Sequence, residues 1–83
     1  MNVHVRLAEP FWRAVGLREL DMTLPPASSV DDLLTLLRER YPRLGVDFDQ
    51  CPPHIFIGEE EADAHSPLED GARAHFVYPV AGG

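Results

Sequence analysis

Apolar and polar residues alternate in two segments near the start of the chain. In residues 1–7 the period of two is typical of a strand with one buried face, and Pro10 limits how far that strand extends. Residues 17–24 alternate less strictly and are predicted to pair with the first segment as a hairpin. Residues 9–16 are then a connection in which Phe11 and its aromatic neighbour act as anchors. The residues predicted to face the core are Val3, Val5 and Leu7 in the first strand and Leu20, Met22 and Leu24 in the second.

The next segment carries the signals of one amphipathic helix. The proline pair at 25–26 ends the second strand, and the serine pair at 28–29, followed by two aspartates, is a typical helix start. We predict a helix over residues 30–41, stopped by Pro42. Its apolar residues recur with the 3.6-residue period and form one stripe: Val30, Leu33, Leu34, Leu37 and Tyr41.

The second half of the chain contains short elements separated by turn signals. Residues 44–53 are acidic and end in a proline pair, and an irregular connection is predicted there. An Asp-Gly pair at the end of 67–71 reverses the chain before the last alternating segment, 72–78, which Pro79 breaks. The other predicted elements are a strand over 54–57, a charged turn over 58–61 and a stub of strand over 62–64.

The predicted order of elements indicates the fold class. A hairpin, a helix laid across one face and returning strands make an α+β domain, with a mixed four- to five-stranded sheet covered on one face by one helix. This is the arrangement of a β-grasp domain. We expect it to span residues 1–79, with residues 80–83 as a flexible C-terminal tail.

Composition and charge narrow the class of protein. The 83 residues suffice for one small domain, and the formal charge of −7 disfavours a nucleic-acid partner. All seven basic residues are arginines. Cys51 is the single cysteine, so no intramolecular disulfide can form and a reducing cytoplasm is the expected location. We see neither a signal peptide nor an apolar run of membrane-spanning length, and expect no membrane partner.

The last residues carry the strongest functional signal. Gly82 and Gly83 follow Val80 and Ala81, directly after Pro79. Glycine packs no side chain and loses much backbone entropy when it is ordered, so a pair of glycines does little for stability. By itself the pair is only a suggestive signal, and the residues around it make it specific.

Two motifs near the end of the chain resemble those of a known family. Residues 66–71, Ser-Pro-Leu-Glu-Asp-Gly, precede the last strand, and residues 78–83, Tyr-Pro-Val-Ala-Gly-Gly, follow it. The pair resembles the C-terminal third of the small subunit of molybdopterin synthase and its relatives, including the thiamin sulfur carrier. A Val-Gly pair at 15–16 is a looser likeness. Residues 58–61 and 71–73 depart from the family's pattern, but neither segment touches the tail.

The resemblance implies a ubiquitin-like β-grasp fold and a carrier role rather than an enzyme. It implies that an E1-like adenylating enzyme uses ATP to convert the poorly electrophilic carboxylate of Gly83 to an acyl adenylate. Sulfur then displaces AMP and leaves a thiocarboxylate at Gly83. The implied acceptor of that sulfur is the large subunit of molybdopterin synthase or an equivalent enzyme, and the chain itself binds no cofactor.

Several roles remain open within and beyond this resemblance. The sulfur carried could be destined for thiamin, cysteine or a secondary metabolite instead of molybdopterin. A ubiquitin-like protein modifier would share the fold and the tail, although this chain has no lysine through which copies of it could be linked. A β-grasp interaction domain with an accidental Gly-Gly ending is the simplest alternative.

The predicted partner-binding residues lead up to the glycine pair. A partner must grip the strand and tail that present Gly83, and an apolar Val77 facing outward suits such a docking surface, although sheet packing would explain it equally. The predicted partner-binding residues are Val77, Tyr78, Pro79, Val80 and Ala81.

Other polar features have weaker functional interpretations. His4 and His75 are expected on the open face of neighbouring strands, where exposed histidines are solvated or lie at an interface more often than they bind a metal. We predict no metal site. Cys51 has no basic neighbour to activate its thiol and is interpreted as a loop cysteine. The acidic run at 59–63 is either a solvated turn or a recognition patch for a basic partner.

Overall fold

The computed structural model describes residues 1–79, which contain five strands and three helices. Residues 80–83, and with them the predicted tail, lie outside the described residues. No helix within the described range is long and apolar enough to cross a membrane. In chain order the elements are β1 (Asn2–Leu7), α1 (Phe11–Val15), β2 (Glu19–Thr23), α2 (Val30–Arg40), α3 (Pro42–Gln50), β3 (His54–Ile57), β4 (Glu60–Ala62) and β5 (Ala72–Val77).

The strands form one mixed sheet with the first and last strands at its centre. The order is β2-β1-β5-β3-β4, in which β1 and β5 are parallel and every other neighbouring pair is antiparallel. In register, Val5 of β1 lies opposite Leu20 of β2 and Ala74 of β5. The predicted α+β fold class, with a mixed sheet and adjacent terminal strands, is confirmed.

A single core lies between one face of the sheet and the helices. Along β1 every second side chain is buried, and the predicted stripe of α2 faces the same core. Each fully buried Leu, Val or Phe side chain stabilises the fold by about 1.5–3 kcal/mol. The buried residues of these two elements are Val3, Val5, Leu7, Val30, Leu33 and Leu37, each 2% exposed or less.

Helix α2 begins at a reciprocal cap, as its sequence predicts. The Ser29 hydroxyl accepts a hydrogen bond from the Asp32 amide at 3.4 Å, and the Asp32 carboxylate accepts one from the Ser29 amide at 2.8 Å. Two amides that have no partner within the helix are thereby satisfied.

Removing this cap should destabilise the domain measurably. We expect Ser29→Ala to lower the free energy of unfolding by about 1 kcal/mol, because the Asp32 amide loses its acceptor. For a domain of this size that corresponds to a drop in melting temperature of roughly 4–8 °C, which a thermal melt will show. Ser29→Asn keeps a capping acceptor and is the control. Equal melting of the alanine variant and the original chain would contradict this role of the cap.

The connection predicted over residues 9–16 folds in part as a short helix. Helix α1 ends at Gly16, whose φ of 86° lies in the left-handed region and whose amide donates to the Trp12 carbonyl at 2.7 Å. Phe11 is fully buried, so its predicted anchoring role is confirmed. The helical turn was not predicted, because it is held by Phe11 in the core rather than by local signals.

The prediction of an irregular connection over residues 44–53 was wrong. Most of that segment is helix α3, which starts with Pro42 at its first turn, where proline's missing amide costs nothing. Leu44 and Phe48, four residues apart, are buried against the rest of the core. Pro42 therefore ends one helix, as predicted, and also begins the next.

The position of the short fourth strand also differs from the prediction. Gly58 and Glu59 alone form the turn between β3 and β4, so that Ile57 faces Glu60 in register. Gly58 has a φ of 64°, as tight two-residue hairpin turns require. The stub predicted over residues 62–64 was therefore placed two residues too late.

The predicted Asp-Gly reversal before β5 is confirmed and is tied to β1. The Gly71 amide donates to the Asn2 carbonyl at 2.7 Å, and the Asp70 carboxylate accepts from the Asn2 amide at 2.7 Å. Gly71 has a φ of 81°, a conformation that favours glycine. These contacts set the parallel register of β5 against β1. The register in turn determines the position on the sheet at which β5 ends.

Candidate functional site

The end of β5 is the last described part of the chain before the predicted tail. Its neighbours β1 and β3 hold it from both sides, with Val77 opposite His54 of β3. Beyond β1, the Ala8 amide donates to the Phe76 carbonyl at 3.0 Å. A central strand thus delivers the chain to one end of the sheet, at Pro79. Gly82 and Gly83, together with Val80 and Ala81, lie outside the described residues.

A row of aromatic rings anchors this end of β5 to the core. The Phe76 ring stacks on Phe48 at 5.5 Å between centroids, and Phe48 meets Phe11 edge to face at 5.1 Å. Phe11 in turn lies 5.9 Å from the ring of Tyr78, tilted by 46°. Aromatic pairs in such geometries add about 0.5–1.5 kcal/mol beyond their buried area. We call this row of four rings the aromatic anchor.

A small cavity of about 220 Å³ lies beside Tyr78 at the margin of the helix layer. Cys51, which follows α3, and Pro10 are among its lining residues. Interaction with the Cys51 thiol, through hydrogen bonding first, raises the pKa of Tyr78 above its usual value. Tyr78 therefore stays a neutral phenol at physiological pH, a group that is both apolar and able to donate a hydrogen bond. Cys51 lies in the connection between α3 and β3, as predicted, and is half-buried beside Tyr78.

The predicted partner-binding residues within the described range lie on two sides of the strand. Val77 is half-buried on the face away from the helices, whereas Tyr78 is 43% exposed and turns toward Phe11. This follows from the alternation of side chains along a strand. Val77 and Tyr78 therefore do not form one continuous patch. A partner that contacts both must reach around the end of β5.

We call the face of the sheet that the helices do not cover the open face. It carries polar and charged side chains at its centre and apolar ones toward the end of β5, in the alternate positions that the buried set leaves free. Its residues on the five strands are Asn2, His4, Arg6, Glu19, Asp21, Thr23, His54, Phe56, Glu61, Arg73, His75 and Val77.

His4 links β1 to the edge strand β2 on the open face. One ring nitrogen lies 2.9 Å from a Glu19 carboxylate oxygen, and the other lies 3.0 Å from Asp21. Hydrogen bonding to Glu19, and then to Asp21, raises the pKa of His4. The protonated ring donates to both carboxylates, and the same contact lowers the pKa of Glu19.

His75 lies on the same face but in a different environment. Burial, and then the positive charge of Arg6, lower the pKa of His75. Both histidines line a groove of about 320 Å³ together with Arg6 and Arg73, whose charges oppose a bound cation. Within residues 1–79, no group of three or more His, Cys, Asp or Glu side chains could hold a metal ion.

The pKa of His4 should lie above the ordinary histidine pKa of 6.5, and that of His75 should lie below it. Following their ring protons by NMR across the pH range should give the higher pKa for His4 and the lower for His75. Because the folded-state pKa of His4 is raised, its stabilisation is complete below 6.5 and is lost as pH rises through the folded value. His4→Gln should remove this pH dependence from urea unfolding. A lower pKa for His4 than for His75 would contradict the assigned contacts.

Phe48 is the structural residue near the site that the sequence did not reveal. It joins Phe11 to Phe76 at the centre of the aromatic anchor, and it lies in the helix that was predicted to be irregular. The signal that would have revealed it is the spacing of Leu44 and Phe48, four residues apart after a proline.

Solved structures resemble this chain over nearly its whole length. Subunit 1 of a molybdopterin converting factor from Pyrococcus furiosus has a TM-score of 0.84 at 20% identity, over 96% of this chain and 99% of that one. Small archaeal modifier protein 1 of Haloferax volcanii has a TM-score of 0.87 at 19% identity, and the match covers both chains completely. The complex of subunits 1 and 2 of molybdopterin-converting factor from Helicobacter pylori has a TM-score of 0.71 at 23% identity, again over both chains completely.

These likenesses are in structure rather than in sequence. No protein-family model matches the chain, and no curated protein matches it. At 19–23% identity the solved structures show the fold. The chain thus has the ubiquitin-like β-grasp fold that the end-of-chain motifs implied, and its structural neighbours include molybdopterin converting factor subunits and small archaeal modifier proteins.

Proposed function

We propose that this chain is a sulfur carrier whose Gly83 carboxylate is activated and converted to a thiocarboxylate. The observation that carries the proposal is the aromatic anchor at the end of β5. It holds Tyr78 against Phe11 at the end of a central strand, in a chain whose next five residues include Pro79 and Gly82-Gly83. Because the base is already held, only the residues that follow it must be ordered when a partner takes up Gly83, which limits the conformational entropy lost.

In the proposed reaction the chain acts as a co-substrate of its partner enzymes. An adenylating enzyme of the E1 type joins the Gly83 carboxylate to AMP and releases pyrophosphate from ATP. Sulfide (HS⁻) supplied by the partner then attacks the acyl carbon, the bond to AMP breaks, and the departure of AMP leaves a thiocarboxylate at Gly83. The absence of a Cβ at Gly82 and Gly83 leaves that carbon unhindered. Catalysis is therefore assigned to the partners, and the chain binds no cofactor of its own.

The acceptor we favour is the large subunit of molybdopterin synthase or an equivalent enzyme, in the cytoplasm. In support, one structural neighbour is a complex of subunits 1 and 2 of molybdopterin-converting factor. Val77, Tyr78, Pro79, Val80 and Ala81 are the proposed contacts, because they lead directly to Gly83. Thiamin, cysteine or secondary-metabolite sulfur transfer would use the same chemistry with another acceptor.

The carrier proposal is tested by weighing the intact chain. The chain is co-expressed with candidate adenylating enzymes from the genome of origin. Each enzyme used must first be shown to be active on another carrier protein. We expect a mass gain equal to the exchange of one oxygen for sulfur, and no gain when the enzyme is omitted. An unchanged mass with every active enzyme would count against the carrier role.

Protein modification is the second candidate function, because small archaeal modifier protein 1 is among the structural neighbours. In that role the Gly83 acyl group would be attached to a lysine of another protein. Arg73 is the last basic residue, so trypsin would leave residues 74–83 as a branch on the target lysine rather than a bare Gly-Gly. Finding that branch on cellular proteins would support conjugation, and its absence from cells making abundant chain would oppose it.

A further inference from the structure

Two arginines on the open face lack an ion-pair partner in a strongly acidic chain. The sequence has 14 acidic and 7 basic residues, yet within residues 1–79 neither Arg6 nor Arg73 has a carboxylate oxygen within 4.0 Å. Both side chains are exposed, and they line the same groove. The groove therefore holds two guanidinium groups that have no carboxylate of residues 1–79 within ion-pair distance, although Glu19 also lines it.

The carboxylates closest to these arginines along the sheet are held by histidines instead. Glu19 is opposite Arg6 in register, but its oxygen lies 2.9 Å from His4. Asp21 is also held by His4, at 3.0 Å. On the other side of the sheet Glu61 lies 3.5 Å from His54. The acids at both edges thus lie closest to histidines, and no carboxylate oxygen lies as close to the guanidinium groups between them. After the His4 contact, the charge of Arg6 also lowers the pKa of Glu19.

Apolar side chains adjoin the arginines on the same face. Phe56 is opposite His75, which is in turn opposite Arg6, and all three share one row across the sheet. Val77 follows on β5, two residues further toward the tail. Phe56 and Val77 are half-buried, although they face away from the core. Guanidinium groups beside half-buried apolar groups match a ligand that carries both carboxylates and apolar side chains.

We propose that the open face binds an extended acidic segment of a partner protein, in which carboxylates pair with Arg6 and Arg73 and apolar side chains contact Phe56 and Val77. Charge complementarity selects this occupant. A nucleic acid would bring many phosphates against a chain of net charge −7, whereas a short segment brings only a few carboxylates to the two arginines. The segment would lie along β5, beside the strand that leads to Pro79.

A library of random peptides displayed on phage tests the proposal even though the partner is unidentified. Panning on the full chain should enrich peptides in which Asp or Glu recurs among apolar residues. Binding of the best enriched peptide, followed by amide chemical shifts, should map to β1, β3 and β5 on the open face. We expect Arg6→Gln with Arg73→Gln to weaken that binding at least tenfold, as loss of two charge-assisted pairs requires.

A matched control removes the same charge elsewhere. Arg40→Gln with Arg43→Gln also takes away two positive charges, from exposed positions at the end of α2 and the start of α3. This control should change the affinity for the peptide by no more than about twofold. Charges outside the binding face act on the peptide only at long range, and salt screens that effect. Equal weakening by both pairs of substitutions would overturn the proposal. So would enrichment of peptides without acids, shifts on the helical face, or equal competition by inorganic phosphate or an oligonucleotide.

The proposal is independent of the chemistry at Gly83. A chain lacking Gly83 should bind the enriched peptide as tightly as the full chain, because the four proposed contacts, Arg6, Arg73, Phe56 and Val77, lie on the sheet. Failure of sulfur transfer with intact peptide binding would therefore reject only the carrier function. Failure of peptide binding with intact sulfur transfer would reject only the acidic-segment site.

Discussion

A chain lacking Gly83 should fail to support AMP formation by its adenylating enzyme. The expected loss is complete within the sensitivity of the assay, because the truncated tail places the carboxylate one residue, about 3.3–3.6 Å of extended chain, short of the reacting position. Misplacement by even ~1 Å can cost a hundredfold in rate. The measurement is pyrophosphate release from ATP, with the full chain and the truncated chain at equal concentration.

The control for this truncation separates reactivity from folding. Gly83 follows β5 and the aromatic anchor in sequence, so we expect the truncated chain to melt at the same temperature as the full chain. Gly83→Ala keeps the length of the tail but adds a Cβ beside the acyl carbon, and should reduce the rate without abolishing it. Undiminished pyrophosphate release by the truncated chain would contradict the assignment of Gly83.

Replacing Phe48 by alanine should come close to unfolding the domain. Phe48 is 2% exposed and contacts both Phe11 and Phe76 in the aromatic anchor. Removing such a ring costs about 3–5 kcal/mol, through lost burial and the cavity left behind. A domain's whole stability is commonly about 5–15 kcal/mol, and 83 residues place this one among the small domains. Urea unfolding of Phe48→Ala and the original chain measures the difference.

Two further variants calibrate this result. Phe48→Leu keeps most of the apolar volume and should lose clearly less stability than Phe48→Ala. Val46, on the same helix, is 54% exposed, and Val46→Ala should change the free energy of unfolding by no more than about 0.5 kcal/mol. A loss below ~1 kcal/mol for Phe48→Ala would show that α3 does not contribute to the core as described.

The strands were predictable because the burial of one sheet face imposes a period of two. Val3 and Val5 on β1, and Ala74 and Phe76 on β5, show that period in the sequence and are buried in the structure. The cap of α2 was predictable for a similar reason, since Ser29 acts on its own helix. The alternation of these strands and the cap of α2 depend on residues that are neighbours in sequence, and both were therefore predicted from the sequence.

Helix α3 was not predicted because its residues resemble those of a turn. Gly45 and the two aspartates near it favour an irregular segment by composition. In the structure Gly45 is buried, and a Cβ there would lie 3.1 Å from Cγ of Arg38. The glycine thus permits α2 and α3 to pack closely. That role depends on a contact between two helices and cannot be read from a single segment.

The candidate site was predicted in part for the same reason. The importance of the chain's end followed from local motifs at residues 66–71 and 78–83. The aromatic anchor joins Phe11, Phe48 and Tyr78 from three distant parts of the chain, and the placement of Cys51 beside Tyr78 likewise depends on the fold. The alternation of β5 does predict that Val77 and Tyr78 face opposite sides, although the two were predicted as parts of one binding surface.

The most direct test of the carrier function is to locate sulfur in the C-terminal tryptic peptide. Cleavage after Arg73 releases residues 74–83, Ala-His-Phe-Val-Tyr-Pro-Val-Ala-Gly-Gly, which contain neither cysteine nor methionine. Any sulfur in that peptide must therefore have been added to it. After incubation with ATP, an active adenylating enzyme and a sulfur donor, we predict one sulfur in place of oxygen, located at Gly83 by fragmentation. A sulfur-free peptide, or sulfur found only at Cys51, would contradict the carrier function.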